Sequence, residues 1–420
     1  MNKKHLVISF IAFTLLTSCS ASLENTLAQD ETVISGAKNS FSRDPVAIIK
    51  KANQTYQSRY PELVKLKYDS MKESPHDFFR ATTYLFYQDL AKTPFFNGEQ
   101  VSVQGDLHLE NIGTYKTTSG FSYDFNDFDD SVKGSFTWDL ARCAVSIYLT
   151  SQQNGFSKDD SEKYVEKYLE TYFDYIKALK GNSTEINNPI SSKYMSDKVK
   201  KLIDNVASTS SSSFISSFSN GEKLTESSKI KKLDANTYNA LISNLKTYFG
   251  KTLPNYNVKD VAFYISGKGS LGRYRYLAML QNKSNSKDIL FMDIKEAVQP
   301  NSASVIGKNT ENQAQRVVNY TKMFLPKIGY FLGNLSFNNS DFFVRSLLAD
   351  DKVNLEKVNK DSEIKDFIDT VAYLTAKGHS KSNKNDKILS YKDKVSDLKS
   401  FAKNYAEQVK ADYVQFKQNI

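Results

Sequence analysis

The sequence predicts an α+β fold in two lobes, a larger one that is mostly helical and a smaller one built on an antiparallel sheet. Three observations lead there. Apolar residues recur with a helical period through most of 43–250 and again from Ile364 onward. Short alternating strands separated by turn residues fill the middle of 251–350. A polar, acidic loop at Gln104 to Gly113 interrupts the helical part, and a glycine-rich loop at Gly267 to Gly272 interrupts the strand-rich part.

The chain has 420 residues, 40% of them apolar and 25% charged, with only 8 prolines, a composition that suits a globular protein with a substantial core. Its net charge of +9 comes from scattered lysines without a nucleic-acid-binding motif, so no nucleic-acid partner is expected. Met1 to Cys19 opens with Lys3-Lys4, is apolar from Leu6 to Leu16 and ends Leu16-Thr17-Ser18-Cys19. The apolar run is short for a membrane span, and small residues before a cysteine resemble the bacterial lipobox. Residues 1–19 are thus read as a lipoprotein signal peptide, with Cys19 lipidated and the protein anchored at the cell envelope. Ser20 points to the outer membrane, facing the periplasm, where the organism has one. The polar stretch 20–42 reads as a tether. Cys143, in the apolar run Leu140 to Val145, is expected to be a buried, inert thiol.

Helical patterns cover Pro45 to Tyr56, Pro61 to Met71 and His76 to Leu90. Val101-Ser102-Val103 and Phe121 to Phe125 read as strands on either side of the acidic loop and a turn at Thr118-Ser119-Gly120. Helices resume at Phe136 to Gln152, Lys158 to Leu179, Ser192 to Val206 and Ala235 to Phe249, with a serine-rich exposed loop at 207–220. Strands follow at Val261 to Ile265, Tyr274 to Leu280 and Ile289 to Ile294, then a helix at Glu311 to Phe324 and a strand at Asp341 to Leu347. Residues 351–420 complete the chain with helices that return to the helical lobe.

The densest polar cluster is Asp106, His108, Glu110 and Asn111, followed after one hairpin by Asp124, Asn126, Asp127, Asp129 and Asp130. Carboxylates this close repel one another unless cations or hydrogen bonds compensate, which suits a hard divalent ion held by oxygen atoms; a solvated acidic turn is the bland alternative. Phosphoryl transfer needs a base, magnesium ligands and cationic phosphate contacts. Asp106 fits the base, and Asn111 with Asp127 fits the metal. Asp106-Leu107-His108 also looks like the opening of a two-metal phosphoesterase, but such sites use several histidines and this chain has 4 in all, so His108 is read as bracing the loop.

Gly267-Lys268-Gly269-Ser270-Leu271-Gly272 matches G-x-G-x-x-G, weak evidence by itself. Asp293 sits near the spacing of a ribose-binding acid, yet Arg273 to Leu277 is strand-like where a dinucleotide fold needs a helix. A hairpin over phosphates therefore fits better, with Gly267, Gly269, Ser270 and Gly272 as nucleotide contacts and Lys295, at the end of the third strand, reaching phosphate. The acidic partner of Lys295 stays open between Glu311 and Glu296.

Gly105-Asp106-Leu107-His108-Leu109-Glu110-Asn111, then Asp124 to Asp130 and Trp138-Asp139-Leu140-Ala141-Arg142, resembles the aminoglycoside and choline kinase branch of the protein-kinase-like fold. The resemblance implies Asp106 as base, Asn111 and Asp127 as metal ligands and Asp139 as a structural brace; Gln104 stands where that branch often has histidine. Nearly the whole mature chain is similar to the bacterial domain of unknown function 2252, grouped with kinase-like proteins. That similarity rests on Ser74 to Arg80, the two acidic loops, the glycine loop through Ala297, Gln315 to Val318, Phe343 to Arg345 and Leu374 to Ser380. It implies a circularly permuted kinase fold, since the catalytic loop precedes the glycine loop, with Phe342 to Ala349 approaching the hinge. Arg80 and Asp129 are supporting residues of the acidic loops in this reading.

The implied function is an ATP- and magnesium-dependent phosphotransferase, or one using another nucleotide, whose acceptor the residues do not name. A catalytically silent kinase-like binding protein and a nucleotidyl transferase are the alternatives.

Overall fold

Prolines and small polar residues mark the starts of the first helices. Asp44 caps α1 (Pro45–Arg59), its Oδ1 accepting from Ala47 N at 3.0 Å, and Pro45 occupies the first turn, where no N–H is needed. α2 (Pro61–Met71) begins on another proline. Ser74 caps α3 (Pro75–Ala81), its Oγ accepting from Asp77 N at 3.0 Å. The computed structural model describes residues 41–420, of which Arg43–Ile420 form a compact unit. The expected signal peptide, Cys19 and nearly all of the tether lie outside the described residues. Among the described residues no helix is long and apolar enough to cross a membrane.

One helix is expected over His76 to Leu90, but the structure breaks it at Thr82 (φ −122°, ψ 37°) into α3 and α4 (Thr83–Leu90). Thr82 Oγ1 bonds back to Phe78 O at 2.8 Å, and the buried Arg142 takes Phe79 O at 3.1 Å. Both contacts compete with helix continuation.

The acidic loops follow from strand pairing. β1 (Gln100–Val103) pairs antiparallel with β4 (Val132–Ser135), and between them β2 (Ile112–Thr117) pairs with β3 (Gly120–Phe125). Loops 104–111 and 126–131 each connect one pair to the other, so they lie side by side. α5 (Phe136–Gln153) then runs through the core, buried at every residue from Phe136 to Ser151. Cys143 lies on it, free and buried as expected, and burial pushes its thiol up.

α6 (Lys158–Leu179), α7 (Ser183–Asn187) and α8 (Asp197–Ala207) continue the helical part. The expected helix from Ser192 starts late, because Ser192–Tyr194 is a 3-10 turn and Ser196 caps α8. The serine-rich stretch departs from the loop expected there: it contains α9 (Ser211–Ser216). Phe214 and Phe218 stand 6.1 and 5.3 Å from Phe291, ring to ring, so two aromatic residues among the serines fix it to the sheet.

That sheet has six antiparallel strands in the order β5-β6-β7-β8-β10-β9. They are β5 (Ile230–Lys231), β6 (Tyr256–Tyr264), β7 (Arg275–Asn282), β8 (Ile289–Glu296), β9 (Leu332–Phe337) and β10 (Ser340–Leu347). α10 (Ala235–Thr252) precedes β6, and α11 (Ala303–Ile306) and α12 (Gln313–Phe324) stand between β8 and β9. On one face Leu241, Leu245 and Phe249 of α10 pack with Ala278, Met292, Ile294 and Val344. The opposite face changes along the strands. Leu277, Met279, Phe291 and Leu347 form its apolar end, covered by Phe214 and Phe218. Two-residue alternation carries the same face on to Arg275, Asp293, Lys295 and Arg345.

α13 (Asp361–Ser380), α14 (Asn385–Leu389) and α15 (Val395–Asn419) close the chain. α13 reaches the acidic loops' scaffold: Lys377 Nζ donates to Asp124 Oδ2 at 2.8 Å, with both side chains buried.

Candidate active site

A cavity of about 700 Å³ is lined by loops 104–111 and 126–131, the glycine loop, and the charged end of the sheet. Its floor is the acidic loop after β1. Gly105 takes φ +87°, and a side chain there would stand 2.1 Å from Asp130 O, so glycine is required. Asp139, in the first turn of α5, accepts from Gln104 N at 2.7 Å and Gly105 N at 2.9 Å. His379 Nε2 meets the same carboxylate at 3.2 Å, and Tyr172 OH meets His379 Nδ1 at 2.8 Å. Asp139 is thus a buried brace behind the loop and does not line the cavity.

Asp106 does line it. Its Oδ1 accepts from Arg142 Nε and from Thr83 Oγ1, the latter at 3.1 Å. Burial, with Asp130 and Asp127 nearby and Arg142 opposing, pushes its carboxyl up to about 7. Asn111 donates Nδ2 to Asp106 O at 2.9 Å, which leaves its amide oxygen for another partner. His108 accepts at Nδ1 from Glu110 N at 3.2 Å, while Nε2 is 3.9 Å from Asp106 Oδ2. Burial and the charges of Arg80 and Arg142 keep its imidazole neutral. Arg80 Nη1 pairs with Glu110 at 2.7 Å and Asp77 at 3.1 Å, ion pairs that tie α3 to the loop.

The second loop adjoins the first: Asn126 N donates to Asn111 O at 3.1 Å, and Gln104 Nε2 donates to Asp127 O. Asp127 keeps a side chain 41% exposed, 3.5 Å from Lys295 Nζ. Asp129 is 13% exposed, with Lys295 Nζ at 2.6 Å and Arg273 Nη1 at 2.7 Å. Burial opposes its charge, but Lys295 and Arg273 outweigh burial and hold the carboxyl well below its ordinary range. Arg316, fully buried on α12, donates to Ser131 O at 2.6 Å, Asp129 O at 2.7 Å and Val298 O at 3.1 Å, clamping the loop to the chain after β8.

Lys295 therefore takes neither carboxylate proposed for it. Glu296 pairs with Arg59 Nη1 at 2.7 Å and accepts from Tyr274 N at 2.9 Å, and Glu311 accepts from Asn309 Nδ2 at 2.8 Å. Neighbouring side chains alternate across a strand, so Glu296 must point away from Lys295.

In the glycine loop, between β6 and β7, Gly267 and Gly272 have φ of +80° and +98°. Gly267, Gly269 and Ser270 line the cavity. Gly272 faces α1 instead, where a side chain would meet Tyr56 Cβ at 2.6 Å. Lys268 pairs with Glu73 at 2.5 Å and Asp77 at 3.0 Å, which moors the loop to the start of α3. Asp293 receives Arg275 through two bonds of 2.7 and 2.6 Å, with Arg345 at 3.4 Å. It is a buried ion-pair acid.

Sequence reasoning passed over Arg142, Arg273, Arg275, Arg316 and Lys67. For Arg275 the available signal was the i, i+2 pair Asp293 and Lys295 on the next strand, whose register sets Arg275 opposite Lys295 and diagonal to Asp293 on one face.

Among the described residues no group of three His, Cys, Asp or Glu side chains is arranged to hold a metal. The Asn111 amide oxygen and the Asp127 carboxylate are an oxygen-only pair that suits magnesium, which binds few protein ligands and takes the rest from water and phosphate.

Fold and site together define an α+β protein with a polar cavity between an acidic double loop and a glycine-loop sheet. The chain belongs to a family described as uncharacterized proteins conserved in bacteria, the domain of unknown function 2252, which it matches over residues 59–419. No curated protein and no solved structure matches it.

Proposed function

We propose that this protein is a nucleotide- and magnesium-dependent phosphotransferase with a circularly permuted kinase-like fold, ATP being the expected donor. The observation that carries the reading is that Asp106, Asn111, Asp127 and Lys295, from three separate segments, line one cavity together with the glycine loop. A base, an oxygen pair for magnesium and a phosphate-facing lysine are the parts that phosphoryl transfer needs, since its catalysis is mainly positioning and charge stabilisation.

The sheet supports the same reading. The glycine loop joins its first long hairpin, Lys295 lies on the next strand, and a helix follows, as in kinases. After β10 the chain crosses to the catalytic loop's hairpin, where Asp351 O accepts from Thr114 N and Asp351 N donates to Thr114 Oγ1, each at 2.8 Å. That crossing suits a hinge. One departure is chemical: Lys295 rests on Asp129 of the acidic loop, where kinases use a glutamate from the helix.

Asp106 would take the proton of an acceptor hydroxyl as its oxygen bonds to the γ-phosphorus and the nucleoside diphosphate leaves. Arg142 and Thr83 orient that carboxylate. Magnesium, held by Asn111 and Asp127, would neutralise phosphate charge. We place the protein at the cell envelope through a lipid on Cys19.

The test is magnesium-dependent ATP binding in wild type, Asp127→Ala and Lys295→Ala, followed by product analysis with labelled ATP. Loss of binding in both variants and transfer of the γ-phosphate support the reading. Unchanged binding in both sinks the site assignment; transfer of the adenylate makes the protein a nucleotidyl transferase, and binding without transfer makes it a silent binding protein. Fatty-acid labelling that persists in Cys19→Ala would refute the anchor.

A further inference from the structure

The wall of the cavity formed by α1 and α2 contains a corner with a buried ammonium, Lys67, that pairs with no carboxylate among the described residues. Lys67, on α2, is 4% exposed, and its Nζ makes one hydrogen bond, to the neutral Asn53 Oδ1 at 3.0 Å. The charge acting on it is one of its own sign, Arg273. Arg273 gives Nη1 to Asp129 at 2.7 Å, but its buried Nε has no partner among the described residues. Lys67, Asn53 and Arg273 all line the cavity that holds Asp106.

A buried ammonium without a counter-ion is costly, and an apolar residue of the same size would stabilise the wall better. A buried donor left unsatisfied adds to that cost. Two such residues lining one cavity form an incomplete set that an anion completes, with charge-assisted hydrogen bonds from both. The corner borders the base. Asn53 Nδ2 lies 3.5 Å from Tyr84 OH, and the adjoining Thr83 donates to Asp106 at 3.1 Å. The other cavity cations nearby are already engaged: Lys268 by Glu73 and Asp77, Lys295 by Asp129 and Asp127.

We propose that Lys67 and Arg273, with Asn53 orienting the ammonium, form a subsite for an anionic group (phosphate, sulfate or carboxylate) carried by the acceptor substrate. The word acceptor rests on the phosphotransferase reading; the anion subsite does not. The same chemistry could come from the nucleotide's own terminal phosphate, and the test separates these sources.

Inorganic sulfate is titrated against the melting temperature of wild type and Lys67→Met, and binding of a magnesium-loaded, non-hydrolysable ATP analogue is measured with and without sulfate. The expected result is sulfate protection of wild type that weakens at least tenfold in Lys67→Met, with analogue affinity kept within threefold and no competition between the two. Equal sulfate protection in both proteins overturns the subsite. Competition with the analogue, or an equal loss of analogue binding in Lys67→Met, overturns the acceptor assignment and gives the anion to the nucleotide. If wild type binds no nucleotide while Lys67-dependent protection persists, the phosphotransferase reading falls and the anion subsite stands. Lys67→Met keeps the length and packing of the side chain, so an intact melting transition shows that folding is not what was lost.

Discussion

Lys295 Nζ stands 2.6 Å from Asp129 and 3.5 Å from Asp127, two acids of one loop that are 13% and 41% exposed. The difference in burial assigns them different work. Asp129→Ala leaves Lys295 and Arg273 without their shared counter-charge, and removing one partner of a buried ion pair costs about 3–5 kcal/mol. Asp127→Ala alters a half-exposed group, for which about 0.5 kcal/mol is usual. Calorimetry is expected to show a large drop in melting temperature for Asp129→Ala alone, and binding assays a loss of magnesium dependence in Asp127→Ala. Equal melting of the two variants would contradict this division.

Asp106→Asn keeps the shape of the acidic loop and removes the base proposed for phosphate transfer. Phosphate transfer in a single turnover is expected to fall about 10²- to 10⁴-fold. Binding of the ATP analogue stays unchanged, because Lys295 and the glycine loop are untouched. Arg142 loses its counter-ion, so the assay belongs well below the variant's melting temperature. Transfer at the wild-type rate would remove Asp106 from the mechanism.

Much of this arrangement was legible in the sequence, because local signals and tertiary structure agree where the helices begin. Pro45 and Pro61 mark two helix starts correctly, the third helix starts at Pro75, one residue before the expected His76, and the carboxylate spacing found both acidic loops. Thr82 escaped because the break in the helix depends on Arg142, 60 positions away in the chain and invisible to local periodicity. The serine-rich stretch escaped because its composition outweighs Phe214 and Phe218, whose burial depends on a sheet formed later in the chain. Lys295 was found, but its partner was sought within a strand or helix nearby, whereas Asp129 arrives from a different segment.

Gly105→Ala tests the close approach of the two loops. At φ +87° a Cβ is strained, and here it would also fall 2.1 Å from Asp130 O, a backbone atom that cannot rotate away. The expected outcome is a loss of several kcal/mol in denaturant unfolding, larger than the ~0.5–1 kcal/mol gain that Gly to Ala brings at an unstrained position. A neutral effect would mean that the two loops separate freely.

His76 gives stability an acid dependence. Burial, then Arg80, with Glu110 and Asp77 opposing and Arg142 adding, lowers its imidazole from 6.5 to about 4. The unfolded chain then binds a proton that the folded chain refuses, so stability from this group is complete above about pH 6.5 and is lost as pH falls towards about 4. Denaturant melts across that window are expected to show a steeper decline in wild type than in His76→Gln, by up to about 3 kcal/mol. Parallel profiles would show that His76 charges freely in the fold.

The anion-binding role proposed for Lys67 reverses the usual relation between a binding residue and stability. Burial, then Arg273, lowers its amine from 10.5 to about 7, so the folded protein holds this proton less tightly than the unfolded chain does. Wild type therefore gains stability from this group as pH rises from about 7 towards 10.5, and below about 7 carries the full cost of a buried ammonium. Lys67→Met removes that cost. It is expected to melt a few degrees above wild type near pH 6.5, with the gap closing near pH 10. Saturating sulfate closes the gap at pH 6.5 as well, because it stabilises only the protein that retains the ammonium. A Lys67→Met variant that melts below wild type at pH 6.5 without sulfate would make Lys67 a packing residue and remove it from the proposed anion subsite.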